Sequence, residues 1–161
     1  MDTTGRLLRH MRWANQQVYS AVASLPDEAL EAYIVNPDWP AKQILQHVVR
    51  ASRRYRSLLW PDEAWEDVPM PTNMAQVREL AAALDESDAR LVAAAALPDG
   101  SAQRRRWDGE LASFEYLTVL SQSVHHATEH RAQLLDALNA RGFEPVSLDS
   151  LDLWSFEGID R

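Results

Sequence analysis

Two histidines four residues apart, His126 and His130, are the side chains of this sequence best suited to holding a metal ion. On an α-helix, this spacing places both imidazoles on one face, one turn apart, where they can converge on a single ion. Two imidazoles do not complete a metal site, so a third ligand has to come from another part of the chain. The sequence contains no cysteine, which excludes thiolate ligands, a cysteine nucleophile and disulfides. Any thiol chemistry therefore requires an external thiol.

The stretch that carries the pair, residues about 113–140, predicts one long amphipathic helix. Its apolar residues recur at helical spacing, at Leu117, Leu120, Val124, Ala127, Leu134 and Leu138. Ser113 is a suitable N-cap, and Gly142 follows the last periodic residue as a stop signal. Two amides, Gln122 and Gln133, lie on the same predicted face as the histidines, one on either side of the pair.

The rest of the chain predicts three more amphipathic helices, at residues about 3–25, 40–59 and 73–96. Residues about 60–72 contain three prolines and predict an irregular crossover. The segment RRRW at 104–107, followed by Asp-Gly, predicts a short extended piece with a tight turn before the last long helix. Together these elements predict an all-α protein, a four-helix bundle that forms a single domain from all 161 residues.

His47, on the second predicted helix, is the candidate third ligand. It lies about eight residues after the start of that helix, and His130 lies about ten residues before the end of the fourth. At a rise of about 1.5 Å per residue, antiparallel packing of the two helices brings both histidines to nearly the same level. We therefore expect a metal-binding cluster of His47, His126 and His130. From its spacing alone, the pair on the last helix is more typical of an ordinary helix surface or core edge than of a metal site.

Five short motifs are spread along nearly the whole chain: WAN at 13–15, ILQHVV at 44–49, DG at 108–109, HATEHRAQ at 126–133 and LDLW at 151–154. Together they resemble the DinB/YfiT-like family of metal-binding four-helix proteins. The resemblance implies an up-down-down-up bundle and, often, a homodimer. It also implies one divalent ion per chain, zinc or nickel, on His47, His126 and His130. Characterised members of that family include transferases and isomerases that use low-molecular-weight thiols.

Two positions depart from the pattern of that family. Gln122 stands where many members have a further histidine, and His125 stands where many have asparagine. On a helix, His125 points about 100° away from His126, so it is not a candidate ligand.

Three neutral imidazoles leave a divalent ion with its full charge and at least one open position, which is typical of catalytic sites. We therefore expect a metal-dependent enzyme of the small-thiol transferase type, in which Gln122, Gln133 or Arg50 orients the substrate. The pattern H-x-x-E-H at 126–130 leaves a metal-dependent hydrolase as an alternative, with Glu129 as the base. The third alternative is a non-enzymatic, stress-related protein that binds a metal or a ligand. An open pocket over the histidines favours an enzyme, whereas a sealed site favours a structural ion.

Several arginines call for an explanation. Arg131 interrupts the apolar stripe of the last helix, so its guanidinium should meet a carboxylate from another helix, and Asp88 is the candidate. Arg50 and Arg54 share a face of the second helix, where they either bind a substrate carboxylate or form a solvated basic face. Residues 104–106 are expected to be an exposed run of charge.

Composition narrows the partners and the location. The net charge of −8 and the isoelectric point of about 5.0 argue against a nucleic-acid partner. No apolar run approaches the ~20 residues of a membrane span, and arginines interrupt the N-terminal segment where a signal peptide is apolar. We therefore expect a cytoplasmic protein that acts on a small molecule, without nucleic acid or membrane.

Overall fold

Four long helices dominate the structure, a computed structural model that describes residues 2–63, 66–105 and 108–158. They are α1 (Thr3–Val22), α2 (Ala41–Leu59), α3 (Met74–Ala94) and α4 (Tyr116–Asn139). A hairpin of two strands, β1 (Ser101–Arg105) and β2 (Leu111–Glu115), connects α3 to α4. Short 3₁₀ turns at Asp27–Glu31 and Leu148–Leu151 precede α2 and a final short helix, α5 (Leu153–Glu157). The protein is therefore mostly helical, as predicted, with one small sheet.

Local sequence signals set the two ends of α1. The Asp2 carboxylate accepts a hydrogen bond from the Gly5 amide at 2.8 Å, which caps the first turn. The helix ends at Val22 rather than at the predicted Leu25. The intervening residues form tighter turns of the i to i+3 type, because Pro26 disfavours helical backbone just before it.

The ends of α2 and α3 follow the predictions closely. Pro40 occupies the N-cap position of α2, whose first helical residue is Ala41. The Asn73 side chain accepts a hydrogen bond from the Gln76 amide at 3.0 Å and so caps α3. Both helices therefore begin within a residue of the predicted positions.

The hairpin displaces the start of the last long helix. β1 and β2 pair antiparallel over their full length, so residues predicted to form the first helical turn belong to a strand. Ser113 lies in β2 and is not an N-cap, and α4 begins at Tyr116. Leu117, expected in the core, lies in the first turn of α4 and is 56% exposed. Of the extended segment predicted at 104–107, the last two residues lie outside the described residues.

The four long helices pack in a closed ring. α1 contacts α3 and α4, and α2 contacts the same two helices. Two clusters of apolar side chains fill the interior, one that includes Leu45 and Leu138 and another that includes Leu91 and Leu120. The ring therefore places α2 beside α4, the two helices that carry the predicted ligands. Among the described residues, no helix combines the length and the apolar character needed to cross a membrane.

The segment after α4 folds back onto α1. The ring of Phe156, in α5, packs against Trp13 and His10 with centroids 5.4 and 5.7 Å away. His10 Nε2 also lies 2.7 Å from the carbonyl oxygen of Leu151, a residue of the core. His10 therefore helps to hold the C-terminal segment against α1.

A buried polar network connects all four long helices. Arg131 on α4 is only 5% exposed, and its guanidinium donates to the side-chain oxygen of Asn15 at 2.7 Å. Asn15 in turn donates to the Asp88 carboxylate at 2.8 Å, which also accepts from the Ser52 hydroxyl at 2.7 Å. The expected direct contact of Arg131 with Asp88 is therefore replaced by a bridged one. Since α1 packs against both α3 and α4, the Asn15 amide can offer its oxygen to one partner and its nitrogen to the other.

Candidate metal centre

Three histidines from two helices meet in one cluster. His47 on α2 and His126 and His130 on α4 each offer a ring nitrogen, and these nitrogens lie within 4.8 Å of one another. The Nε2 atoms of His47 and His126 are 3.0 Å apart. A tetrahedral zinc ion with bonds of about 2.1 Å holds its ligand nitrogens about 3.4 Å apart, a separation within the range seen here. The three predicted ligands are therefore close enough together to hold a metal ion.

The surroundings of His47 and His126 favour the neutral imidazole, the form that binds a metal. Burial, together with the neighbouring His130 and His47, lowers the pKa of His126 to about 4. Burial, together with His130 and Arg50, also lowers the pKa of His47. At neutral pH, an incoming cation therefore does not have to displace protons from these two side chains.

The second ring nitrogen of His130 has a defined partner in Gln133. His130 Nδ1 lies 2.9 Å from Gln133 Oε1, and the same oxygen accepts from Trp39 Nε1 at 3.4 Å. Because an indole N–H can only donate, the amide presents its oxygen to both rings, and His130 Nδ1 carries the proton. This tautomer leaves the Nε2 lone pair of His130 free for an ion. The predicted role of Gln133 toward a substrate stays a prediction.

An open cleft of about 590 Å³ adjoins the cluster. Two of the histidines form part of its wall, and the rest of the wall consists of Arg50, Ala51, Arg54, Tyr55, Ser57, Leu58 and Arg104. The Tyr55 ring packs edge-on against His126, with centroids 5.7 Å apart. Gln122, predicted to contact a substrate, is exposed beside the Tyr55 hydroxyl. The cluster is therefore accessible from solvent through a basic and aromatic cleft.

Arg50, the third residue predicted to contact a substrate, already has an acidic partner. Its Nε atom lies 2.8 Å from an Asp67 carboxylate oxygen, and both side chains are about half exposed. An exposed pair of this kind is weak, so the guanidinium can exchange Asp67 for another carboxylate. The substrate-binding role of Arg50 stays a prediction.

Glu129 and His125 lie on the exposed part of α4. Neither forms a hydrogen bond or an ion pair with the cluster histidines among the residues that the structure describes. The ligand group found in the described residues takes its third member from α2 and contains no carboxylate.

The model of the DinB family matches the chain over residues 1–159. The chain belongs to the DinB family. No curated protein and no solved structure matches it. The match spans both helices that carry the three histidines, and it confirms the family assignment made from the short motifs.

Three residues around the histidine cluster were not predicted from the sequence. Trp39 packs against His47 and His130, with centroids 5.3 and 6.1 Å away. Tyr55 lies eight residues after His47 on α2, a spacing close to two helical turns that the sequence does contain. Trp39 lies before α2, so helical spacing does not relate it to His47. Arg104 has no such signal, since only the hairpin brings it to the cleft.

Proposed function

We propose that this DinB-family protein is a metal-dependent enzyme of the small-thiol transferase type. His47, His126 and His130 would hold one divalent ion per chain, zinc or nickel. The observation that carries the proposal is a group of three imidazoles beside an open cleft. Structural zinc sites usually have four protein ligands, whereas the ligand group among the described residues has three. This count favours a site with a position left for a substrate.

The side chains around the cluster have assignable roles in such an enzyme. A divalent ion on three imidazoles supplies Lewis acidity, which lowers the pKa of a bound thiol or water. Gln133 and Trp39 orient His130 through the hydrogen bonds that fix its tautomer. Burial raises the pKa of Tyr55, so its hydroxyl stays protonated at neutral pH. That hydroxyl and the Gln122 amide can donate hydrogen bonds to a substrate in the cleft.

The two alternatives receive less support. A hydrolase of the H-x-x-E-H type needs Glu129 at the reacting centre, and Glu129 is exposed with no described contact to the histidines. A purely structural ion is expected in a sealed site, whereas this cluster opens into a cleft of about 590 Å³. The cleft therefore favours an enzyme over a structural metal site.

The proposal also includes the up-down-down-up connectivity, a cytoplasmic homodimer and the absence of nucleic-acid and membrane partners. Trp39, just before α2, contacts Gln133 in the second half of α4. Tyr55, near the end of α2, contacts His126 earlier in α4. This order of contacts supports opposite directions for α2 and α4, as that connectivity requires. The dimer rests on the family resemblance, and the location and the excluded partners rest on composition.

Metal analysis of purified protein without a histidine tag tests the site. We expect about one divalent ion per chain, which His126→Ala and His47→Ala should each lose. The matched control is His125→Ala, which removes the neighbouring exposed imidazole and should retain the ion. Full occupancy in a variant that lacks all three ligands would refute the assignment. Thiol binding to cobalt-substituted protein, seen as a thiolate-to-cobalt absorption band, then tests the transferase type separately.

A further inference from the structure

We propose that the cleft beside the three histidines is an anion site, in which Arg54 and Arg104 bind the carboxylate of a small substrate. The inference rests on the proposed metal-dependent function and specifies its substrate class. The carboxylate belongs either to the thiol or to the acceptor that the thiol attacks.

The charge of the cleft is opposite to that of the chain. Acidic residues outnumber lysine and arginine by 24 to 16, and the net charge is −8. The described wall of the cleft nevertheless contains three arginines and two histidines, and no acidic residue. A concave surface lined by one sign of charge concentrates ligands of the opposite sign. A local reversal of this kind indicates an anionic ligand rather than an ordinary solvated surface.

Two of the three arginines are available to such a ligand. Arg50 is paired with Asp67. The side chains of Arg54 and Arg104 form no ion pair and no hydrogen bond with any residue that the structure describes. A guanidinium offers paired N–H donors that match the two oxygens of a carboxylate. The cleft therefore presents, beside the histidines, two solvent-exposed guanidinium groups that no described side chain or carbonyl oxygen already binds.

The register of β1 directs Arg104 toward the cleft. Ala102 is 3% exposed, so its face of the strand points toward the helices, and β1 packs on α2. Side chains two residues apart share a face of a strand, which places Arg104 on the Ala102 side. Arg105 lies on the opposite face and donates to the carbonyl oxygen of Gly109. Neighbouring arginines of one strand thus have different surroundings.

The helical spacing on α2 makes the same distinction. Arg54 follows His47 by seven residues, two turns along one face of the helix, and both line the cleft. The preceding residue, Arg53, instead donates to the Glu66 carbonyl oxygen. Arg54, Tyr55 and Arg104 all line this one cleft. One carboxylate bound there could therefore contact both guanidinium groups.

The distance from the histidines constrains the length of the substrate. Two turns of helix span roughly 11 Å, and the long arginine side chains can shorten the gap from a bound carboxylate to the cluster. Test ligands should therefore carry a thiol and a carboxylate separated by two or by five carbon atoms. The probes are 3-mercaptopropionate and 6-mercaptohexanoate, each compared with the alcohol of the same length.

Binding to the cobalt-substituted holoprotein is measured by the thiolate absorption band and by calorimetry. We expect at least one acid to bind about tenfold more tightly than its matched alcohol. Arg54→Gln and Arg104→Gln should each remove most of that preference. Arg53→Gln and Arg105→Gln, the adjacent arginines outside the cleft, should leave it unchanged. Metal content is measured on every variant and should not change.

A second arm separates the two sources of the carboxylate. With the neutral 3-mercapto-1-propanol bound, succinate and succinamide are titrated as unreactive mimics of an acceptor. A preference for the acid among the thiols places the carboxylate on the thiol, and a preference for succinate places it on the acceptor. Equal binding of acids and neutral probes in both arms, or equal loss in the control variants, overturns the anion site. If the unaltered protein holds no ion, or if its ion binds none of the thiols, the proposed function is overturned instead.

Discussion

Replacement of Arg131 by methionine should destabilise the fold strongly, and more at high pH than at low pH. Burial raises the pKa of Asp88 to about 6 and lowers the pKa of Arg131 to about 10, so both groups are mainly charged at pH 8. Methionine keeps the apolar stem but leaves the fully buried Asp88 carboxylate without its nearby cation. It also leaves the Asn15 side-chain oxygen without its donor. Because Asn15 links the two buried charges, we expect a cost at pH 8 like that of removing one partner of a buried ion pair, about 3–5 kcal/mol.

The pH dependence follows from the direction of the Asp88 shift. Its pKa in the folded state is above the unfolded value, so the stability it contributes is present at low pH and is lost as the pH rises through about 6. The nearby Arg131 charge limits this rise, so the variant should have a still higher Asp88 pKa. Each further unit adds about 1.4 kcal/mol to the cost at pH 8. At pH 5, a protonated Asp88 can keep its bonds to Asn15 and Ser52, and the loss should be smaller.

Urea unfolding of metal-free protein at pH 5 and pH 8 measures the effect. The matched control is Arg12→Met. Arg12 connects α1 to α3, as the buried network does, through two hydrogen bonds to the Asp85 carboxylate at 2.7 and 2.9 Å. That pair is about 40% exposed, so its loss should cost at most about 1 kcal/mol. The Arg12 hydrogen bond lowers the pKa of Asp85, which keeps its contribution constant between pH 5 and pH 8. Equal losses in the two variants, or a loss in Arg131→Met that does not change with pH, would refute the coupling of the Arg131 and Asp88 charges.

Three further predictions concern the cluster. Glu129→Gln should retain the ion and most of any activity found, whereas in a hydrolase of the H-x-x-E-H type it would keep the ion and lose turnover; metal content and one rate for the variant separate the two. Metal-free protein should lose stability as the pH falls below about 6.5, because burial lowers the His126 pKa in the folded state and the unfolded chain binds that proton more tightly. In thermal unfolding measured at several pH values, the melting temperature of His126→Gln should change less steeply with pH than that of the unaltered protein. An unchanged pH dependence would contradict this prediction. Gln133→Ala should weaken cobalt affinity by about 10–100-fold through the loss of its bond to His130, while Gln122→Ala should not; equal affinities in a competition assay would count against that role of Gln133.

The parts of the structure that the sequence predicted well depend on contacts close in the chain. The predicted starts of α2 and α3, at about residues 40 and 73, lie within a residue of the observed ones, since Pro40 and the Asn73 cap each act on the helix that directly follows them. The spacing of His126 and His130 likewise predicted neighbouring imidazoles, because helical geometry alone relates them. His47 required only the further assumption that two helices pack side by side.

The parts that were mistaken or missed depend on pairing between distant segments. Ser113 looks like an N-cap, but pairing with β1 extends it into a strand, an effect that no local pattern contains. Arg104 reaches the cleft through the same hairpin. The link from Arg131 to Asp88 passes through Asn15, which comes from a third helix. Sequence spacing predicted that the buried charge needs a partner, and only the packing of α1 determines which side chain makes the contact.

The buried network and the cluster are coupled through the rotation of the helices that carry both. His130 and Arg131 are adjacent on α4 and point about 100° apart, so anchoring Arg131 in the core also fixes the direction of the histidines. On α2, Ser52 lies five residues after His47 and donates a hydrogen bond to the Asp88 carboxylate. Arg131→Met should therefore lower the cobalt affinity of the folded protein although it touches no ligand, whereas Arg12→Met should leave that affinity unchanged. Equal cobalt affinities in the two folded variants would mean that apolar packing alone sets the rotation of α4.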